Sequence, residues 1–269
     1  MVRTDTGPGA GAVRRGPSDL SGRVALVTGA AQGMGVAHAE RLAADGATVV
    51  VNDRVASDAL DAVAARVGGV AMAADVSDPD AVAGLVSSIE ERLGRLDVLV
   101  ANHAYMTMAP FLDHDPDDWW KVVDTNLGGT FHLIRSAVPG MRARGGGRVV
   151  VITSYWGVTG WPGATAYAAS KAGLISLVKT LGRELAPDGV IVNGIAPGVV
   201  DTPQLQVDAD AAGVPLADIT ARYATAIPLG RIGAPAEVAA AVSLLADFRM
   251  QAMVGQIVQV NGGEIRTRA

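Results

Sequence analysis

The chain has 269 residues, 49% of them hydrophobic and 18% charged, with no cysteine and a formal net charge of −5. The missing cysteine excludes disulfides, thiolate nucleophiles and cysteine-ligated zinc, and the acidic balance provides no electrostatic footprint for nucleic acid or an anionic membrane. No apolar run reaches the roughly 18 residues that span a bilayer, so the expectation is a soluble, cytoplasmic protein whose length suits one α/β domain.

Residues 1–20 are rich in glycine, proline and arginine and lack the apolar stretch of a signal peptide. They read as a flexible tail, and residues 21–269 as a single domain. Gly7, Gly9 and Gly11 look superficially like a phosphate loop, but no strand precedes them. Beyond the tail, β-branched apolar runs alternate with amphipathic stretches. Val24–Val27, Ala47–Val51, Val70–Ala73, Asp97–Val100, Val149–Ile152, Val190–Ile195 and Ile257–Val260 read as strands. They are continuous apolar runs, as parallel strands covered on both faces require. Helical periodicity covers Gly35–Ala44, Ser57–Arg66, Pro79–Leu93, Asp117–Arg144, Ala164–Leu185 and Ala234–Ala246, with Asp78-Pro79 and Asp115-Pro116 as start signals. Alternating strands and helices specify right-handed crossovers and a doubly wound, mostly parallel, seven-stranded Rossmann-like α/β sheet with helices on both faces. The stretch between Thr202 and Gly233 contains Pro203, Pro215 and Pro228 and fits a mobile flap over a site.

The first strand runs into Thr28-Gly29-Ala30-Ala31-Gln32-Gly33-Met34-Gly35, and a helix follows. Glycines 29, 33 and 35 let phosphate oxygens approach backbone N–H groups at the helix N-terminus. The spacing differs from the commoner Gly-x-Gly-x2-Gly fingerprint, but its place between strand and helix points to a nucleotide. Asp53 ends the second strand, where an acid accepts hydrogen bonds from the adenosine ribose and repels a 2′-phosphate; this favours NAD over NADP. Arg54 either meets a 2′-phosphate or lies near the adenine or solvent. Asp75, after the third strand, is placed to meet the adenine edge or to open the next helix.

Tyr167 and Lys171 stand at i and i+4, on one helix face. The chain has only three lysines, Lys121, Lys171 and Lys179, and four tyrosines. Free tyrosine titrates near 10, and a nearby ammonium is expected to lower that by about one to three units. Tyr167 is therefore a candidate general acid/base. Ser154 ends the fifth strand, at the carboxyl edge where ligands collect, and its hydroxyl can hold a substrate oxygen beside the phenol. With no Gly-x-Ser-x-Gly elbow and no suitably placed histidine, a nucleophilic role for Ser154 is disfavoured. Asn126 sits mid-helix, an unfavourable position that demands polar partners if it is buried.

Taken together, in order and spacing, these motifs resemble the compact, single-domain branch of the short-chain dehydrogenase/reductase family. The matching residues are TGAAQGMG at 28–35, Asp53, Ala-Asp-Val at 74–76, Asn126, Ser154, Tyr167-x3-Lys171, Asn193-x3-Pro197-Gly198, Gly255-Gln256 and Val260-Asn261-Gly262-Gly263. The resemblance implies hydride transfer between a nicotinamide and the carbon of an alcohol or ketone, with no metal. It implies that Tyr167 exchanges the proton, Ser154 polarises the substrate oxygen, Lys171 holds the nicotinamide ribose and Asn126 sustains a water-linked proton relay. Pro197, Gly198, the Val200 backbone and the Thr202 hydroxyl would grip the carboxamide. Gln32, Met34, Val76 and Asn102 complete the expected cofactor contacts, and a homotetramer or homodimer is implied as well. In one place the chain departs from the pattern. Where the family usually has Asn-Asn-Ala-Gly, this chain keeps Asn102 but has His103 and Ala104 in place of the small residue and glycine. His103 is either a second titrating group near the cofactor or a packed, satisfied ring.

By position, Tyr105, Met106, Tyr155, Trp156, Trp161 and Leu205 are expected to face the substrate along with Ser154. Four of these six are aromatic in a chain that is 4% aromatic. This fits an apolar or ring-containing substrate, or else core and subunit packing. The leading expectation is an NAD-dependent secondary alcohol dehydrogenase or ketone reductase. The alternatives are an NADP-dependent 3-oxoacyl-thioester reductase, motivated by Arg54, and a nucleotide-sensing protein that would not need the full Asn, Ser, Tyr and Lys set.

Overall fold

The apolar runs form strands β1 (Val24–Thr28), β2 (Thr48–Asp53), β3 (Val70–Ala73), β4 (Val98–Ala101), β5 (Gly147–Ile152), β6 (Val190–Pro197) and β7 (Ile257–Val260) in a computed structural model that describes residues 18–265. The helices are α1 (Gly33–Ala44), α2 (Asp58–Val67), α3 (Pro79–Leu93), α4 (Pro116–Val123), α5 (Gly129–Ala143), α6 (Trp156–Thr159), α7 (Thr165–Leu185), α8 (Gln204–Ala212), α9 (Leu216–Ala226) and α10 (Pro235–Ala246). Every strand pairing is parallel, in the order β3-β2-β1-β4-β5-β6-β7. Side chains alternate across the sheet. Leu26, Leu99, Val149 and Val151 enter one core with Leu133 and Leu174, while Val27, Val100, Val150 and Ile152 enter the other with Leu42 and Val242. Burial on both faces is why these runs show no polar alternation. The order of strands reverses between β1 and β4, which opens a crevice at the carboxyl edge of the sheet.

Start signals act as the sequence indicates. The Asp78 carboxylate accepts from the N–H groups of Asp80 and Ala81, and that of Asp115 from Asp117 and Asp118, each with proline next in the chain. Two expectations change. Asp117–Arg144 is not one α-helix, because a π-helical turn, Asp124–Gly128, separates α4 from α5 and carries Asn126 in its middle. The Thr202–Gly233 stretch, expected as a mobile flap, contains α8 and α9, with Pro203 and Pro215 at their N-cap positions, and Leu205 and Ile219 are buried. The tail drawn to residue 20 is too long. Leu20 is fully buried, its N–H donates to Asp45 O, and Ser18 Oγ donates to Ser243 O. The rest of that tail lies outside the described residues. Among the described residues, no helix is long and apolar enough to cross a membrane.

Asp97, just ahead of β4, ties two strands together. Its buried carboxylate accepts from Arg95 at 2.7 Å, Arg23 at 3.2 Å and the Val24 N–H at 2.9 Å. Burial raises its pKa, but the hydrogen bonds from Arg95 and Val24 and the arginine charge outweigh burial and hold it below the usual 3.8. With the folded pKa below the unfolded one, the stabilisation is present above about pH 4 and is lost as pH falls through the folded value. Asp97→Asn is expected to cost about 1–3 kcal/mol at neutral pH, with the gap to wild type shrinking below about pH 4. Urea denaturation across pH checks this, and a gap that stays constant refutes it.

Candidate active site

Beyond β1, the chain turns through Gly29 and Gly33 at φ +61° and +59°, where only glycine is unstrained. A Cβ on Gly35 would stand 2.2 Å from Gly29 O, so this third glycine is required by close packing. Gln32 makes no side-chain cap to α1, which leaves the first N–H groups of the helix available to an anion. A cleft of about 400 Å³ opens over this turn, lined by Gln32, Met34, Asp53, Arg54, Asp75, Val76, Asn102 and Thr202 with Gly29 and Gly33. Asp53 Oδ2 accepts from the Ala31 N–H at 3.1 Å and Oδ1 from the Arg54 N–H at 2.8 Å, so the carboxylate also braces the loop. Asp75 Oδ1 accepts from both the N–H and the hydroxyl of Ser77, bracing the turn into α3. Burial opposes its charge, but the Ser77 bonds and Arg54 keep its pKa lowered. Glycine turn, orphan N–H groups and ribose-side acid fit a dinucleotide.

Asn102 Nδ2 donates to the backbone oxygens of Thr28 and Gly29, clamping β4 to the loop. His103 is packed: Nδ1 lies 2.8 Å from Thr28 Oγ1 and Nε2 3.5 Å from Thr130 Oγ1. Burial, followed by the charge of Lys171, pushes its pKa down to about 3, so the ring is neutral. Asn126 is fully buried. Its Oδ1 accepts from the Tyr105 N–H at 2.8 Å, and its Nδ2 donates to Tyr105 O at 3.0 Å and to Ser170 Oγ at 3.1 Å. The polar partners its mid-helix position demands are thus supplied from the β4 loop and α7.

Lys171 Nζ, on α7, donates to Ile152 O at the end of β5 at 2.8 Å and is almost wholly buried. Burial pushes its pKa down to about 7. The expected lowering of the tyrosine is overturned. Burial pushes the Tyr167 phenol up to about 12, with the Ser154 hydroxyl opposing. Desolvation penalises phenolate and ammonium alike, and Lys171 Nζ lies 5.4 Å from the Tyr167 ring centroid. Ser154 Oγ accepts from the Trp156 N–H at 3.1 Å, which fixes the turn into α6. Pro197 O accepts from the Tyr155 N–H, a Cβ on Gly198 would meet Asn261 at 2.9 Å, and Val200 bridges to Gly233.

A second cavity of about 240 Å³ shares Met34, Ala104, Thr202 and Gln204 with the cleft and is lined by Ser154, Tyr167, Met106, Tyr155, Trp156 and Leu205. Two expected substrate residues stand elsewhere. Tyr105 lines the nucleotide cleft, its ring centroid 4.7 Å from Lys121 Nζ, because its backbone is held by Asn126. Trp161 is 39% exposed and backs Trp156, stacked at 5.0 Å and 8°. Asp208 and Tyr223 also line the second cavity. Sequence reasoning missed both, since they lie on α8 and α9. All four tyrosines of the chain stand at the walls of the two cavities.

A glycine-turned cleft meets a cavity lined by a serine and a tyrosine, with a buried lysine behind them. A family model described as "Enoyl-(Acyl carrier protein) reductase" matches residues 29–264. The chain is 35% identical to 3-oxoacyl-(acyl-carrier-protein) reductase FabG of Thermotoga maritima over 91% of its length and 98% of the relative's. It is 40% identical to a short-chain dehydrogenase/reductase of Armillaria gallica over 90% and 95%, and 39% identical to a 3-oxoacyl-(acyl-carrier-protein) reductase of Synechocystis over 91% and 98%. The chain belongs to the short-chain dehydrogenase/reductase family, whose members are oxidoreductases that use a nicotinamide cofactor.

The neutral His103 has a stability signature. With the folded pKa near 3 and the unfolded one near 6.5, the unfolded chain binds the extra proton, so stability falls as pH drops below 6.5. Between pH 7 and 5 this group accounts for about 2 kcal/mol of that loss. Denaturation at the two pH values should show His103→Asn losing less stability than wild type; equal losses would contradict the buried neutral ring.

Proposed function

We propose that this protein is an NAD(H)-dependent oxidoreductase acting on a secondary alcohol or ketone. The carrying observation is that Ser154 and Tyr167 line one cavity, backed by Lys171, beside the glycine-turned cleft. A nicotinamide cofactor, when bound, supplies or accepts the hydride. Gly29, Gln32, Gly33, Met34 and Gly35 would hold the pyrophosphate, Asp53 the ribose hydroxyls, and Asp75, Val76 and Asn102 the adenine side. Lys171 Nζ keeps N–H groups beyond its bond to Ile152 for the nicotinamide ribose. Pro197, Gly198, Val200 and Thr202 would meet the carboxamide. Ser154 holds the substrate oxygen. Tyr167 gives that oxygen a proton during reduction and takes it back during oxidation. Asn126 acts as a positioning residue, since its amide is occupied by Tyr105 and Ser170.

The names of the Thermotoga and Synechocystis relatives support a narrower reading, and support it better than the general one: reduction of a 3-oxoacyl thioester, whose 3-keto group is a ketone of this class. Among the described residues, no lysine or arginine lines the reactive cavity to clamp a phosphate. For the cofactor, Asp53 in the cleft favours NAD, while the exposed Arg54 beside it leaves NADP as the alternative. Exposed Phe111, Leu112, Trp120 and Phe131 around α4 and α5 support assembly into a homodimer or homotetramer.

Tyr167→Phe is expected to lower kcat by roughly 10²- to 10⁴-fold while NADH still binds, as followed by nicotinamide fluorescence; near-normal turnover would refute the proton role. The high phenol pKa gives the two directions opposite pH slopes. Reduction needs the neutral phenol and falls only at high pH, whereas oxidation needs the phenolate and climbs with pH. Slopes of the same sign would contradict this. Asp53→Ala should narrow the gap between NADH and NADPH in kcat/KM, and a wild type that already prefers NADPH overturns the assignment of NAD.

A further inference from the structure

The reactive cavity carries a charge that hydride and proton transfer do not use. Among the described residues that line it, Asp208 alone bears a formal charge at neutral pH. Its Oδ1 accepts from Gln204 Nε2 at 3.0 Å and its Oδ2 from the Tyr223 hydroxyl at 3.2 Å. Both donors are neutral, so the half-buried carboxylate is oriented while its charge is left uncancelled. Among the described residues no ion pair holds it either. Lys171 stands behind Tyr167, bonded to Ile152 O, and Arg222 is exposed next to Tyr223 on α9; neither lines the cavity.

Much of the remaining wall is aromatic. Tyr155, Trp156 and Tyr167 come from the β5 side, on or next to α6 and α7, and Tyr223 comes from α9. The Tyr155 ring is tilted 53° to that of Trp156 at 6.0 Å, and Tyr167 meets Trp156 edge-on, at 83° and 5.9 Å. Rings in several orientations thus wall one volume of about 240 Å³. Aromatic faces attract a cation, and a carboxylate at short range adds the counter-charge. A carboxylate or phosphate on the guest would meet Asp208 with no lining cation to offset it. A neutral alkyl group would leave the Asp208 charge against apolar surface, which is costly. An ammonium group satisfies the carboxylate and the rings together.

We propose that Asp208 and the Tyr155, Trp156, Tyr167 and Tyr223 rings select a substrate that carries an ammonium group, so that the preferred substrate is an amino ketone or the corresponding amino alcohol. The proposal rests on the ketone-reducing reading above. The nitrogen takes no part in the redox step: the carbonyl carbon receives the hydride, its oxygen receives the proton, and the ammonium is unchanged. Asp208 is a specificity residue, and its link from α8 to Tyr223 on α9 sets where the charge stands.

The test pairs ketones of one shape and different charge, with NADH and NADPH: 1,1-dimethyl-4-oxopiperidinium against 4,4-dimethylcyclohexanone, and protonated 1-methyl-4-piperidone against 4-methylcyclohexanone. Binding of each ketone is followed in parallel by tryptophan fluorescence. The expected result is at least tenfold higher kcat/KM for the cation of each pair. That ratio falls towards one in Asp208→Asn, which keeps the shape of the side chain and removes its charge. Asp210→Asn is the control. Asp210 is exposed, accepts from Gln206 Nε2 four residues back as Asp208 does from Gln204, and does not line the cavity, so the ratio is expected to hold. Equal kcat/KM within both pairs in wild type, or a ratio unchanged in Asp208→Asn, overturns the ammonium site and leaves ketone reduction standing. A ratio that Asp210→Asn lowers equally does the same. If no ketone turns over, the catalytic reading fails, and binding decides alone. Tenfold tighter binding of the cations, lost in Asp208→Asn, supports the site, and equal binding overturns it. A neutral 3-oxobutanoyl N-acetylcysteamine thioester with a higher kcat/KM than both cations also overturns it.

Discussion

An ammonium group buried at the end of a parallel strand organises this molecule. Lys171 Nζ donates to Ile152 O, almost wholly out of water, and so joins α7 to the carboxyl end of β5. Burying a cation is costly unless its hydrogen bonds are met, so the bond locks the rotation and height of α7 over the sheet. Tyr167, one turn back, is then carried to the cavity, and Ser154, two residues beyond Ile152, reaches it from the strand side. Gly157 is part of the same constraint: a Cβ there would stand 2.7 Å from the Lys171 carbonyl carbon, so α6 packs directly on the α7 backbone. The candidate site therefore sits on strand ends and helices, the elements best able to hold groups to sub-ångström tolerance.

Burial also governs the electrostatics. The same desolvation drives Tyr167 up, Lys171 down and His103 down, so within the protein's own groups the site tends towards neutrality. A neutral phenol next to a held oxygen is the form that donates a proton, which suits the reductive direction. His103, in place of a small residue, fills the space between Thr28 and Thr130 and stiffens the join of β4 to the loop without adding a titrating group.

Much of this was legible in the sequence, and the parts that were not share a cause. Strands buried on both faces announce themselves as unbroken apolar runs, so the sheet and the glycine turn could be read directly. Asn126 drew attention because it is a poor mid-helix residue, but the π turn around it depends on Tyr105 and Ser170, 21 and 44 residues away. Prolines 203 and 215 stand at the N-cap positions of α8 and α9, and the burial of Leu205 and Ile219 is a tertiary matter that local sequence does not show. The sign of the Tyr167 shift is not legible in the sequence, because spacing shows a charged neighbour and conceals desolvation. Position along the chain points Tyr105 and Trp161 to the pocket, and it does not reveal that one is held by Asn126 and the other lies outside Trp156.

Fold and family place the chain among nicotinamide-dependent oxidoreductases, and among the described residues the reactive cavity is lined by aromatic side chains and by no lysine or arginine. The central claim is that the Ser154 and Tyr167 cavity is where a carbonyl carbon receives a hydride while its oxygen receives a proton. It is tested most directly by reducing a ketone with NADH deuterated at C4 and locating the label by mass spectrometry. One deuterium on the carbinol carbon is the expected result. A carbinol hydrogen drawn from solvent, or alcohol formed without consumption of reduced cofactor, would contradict it.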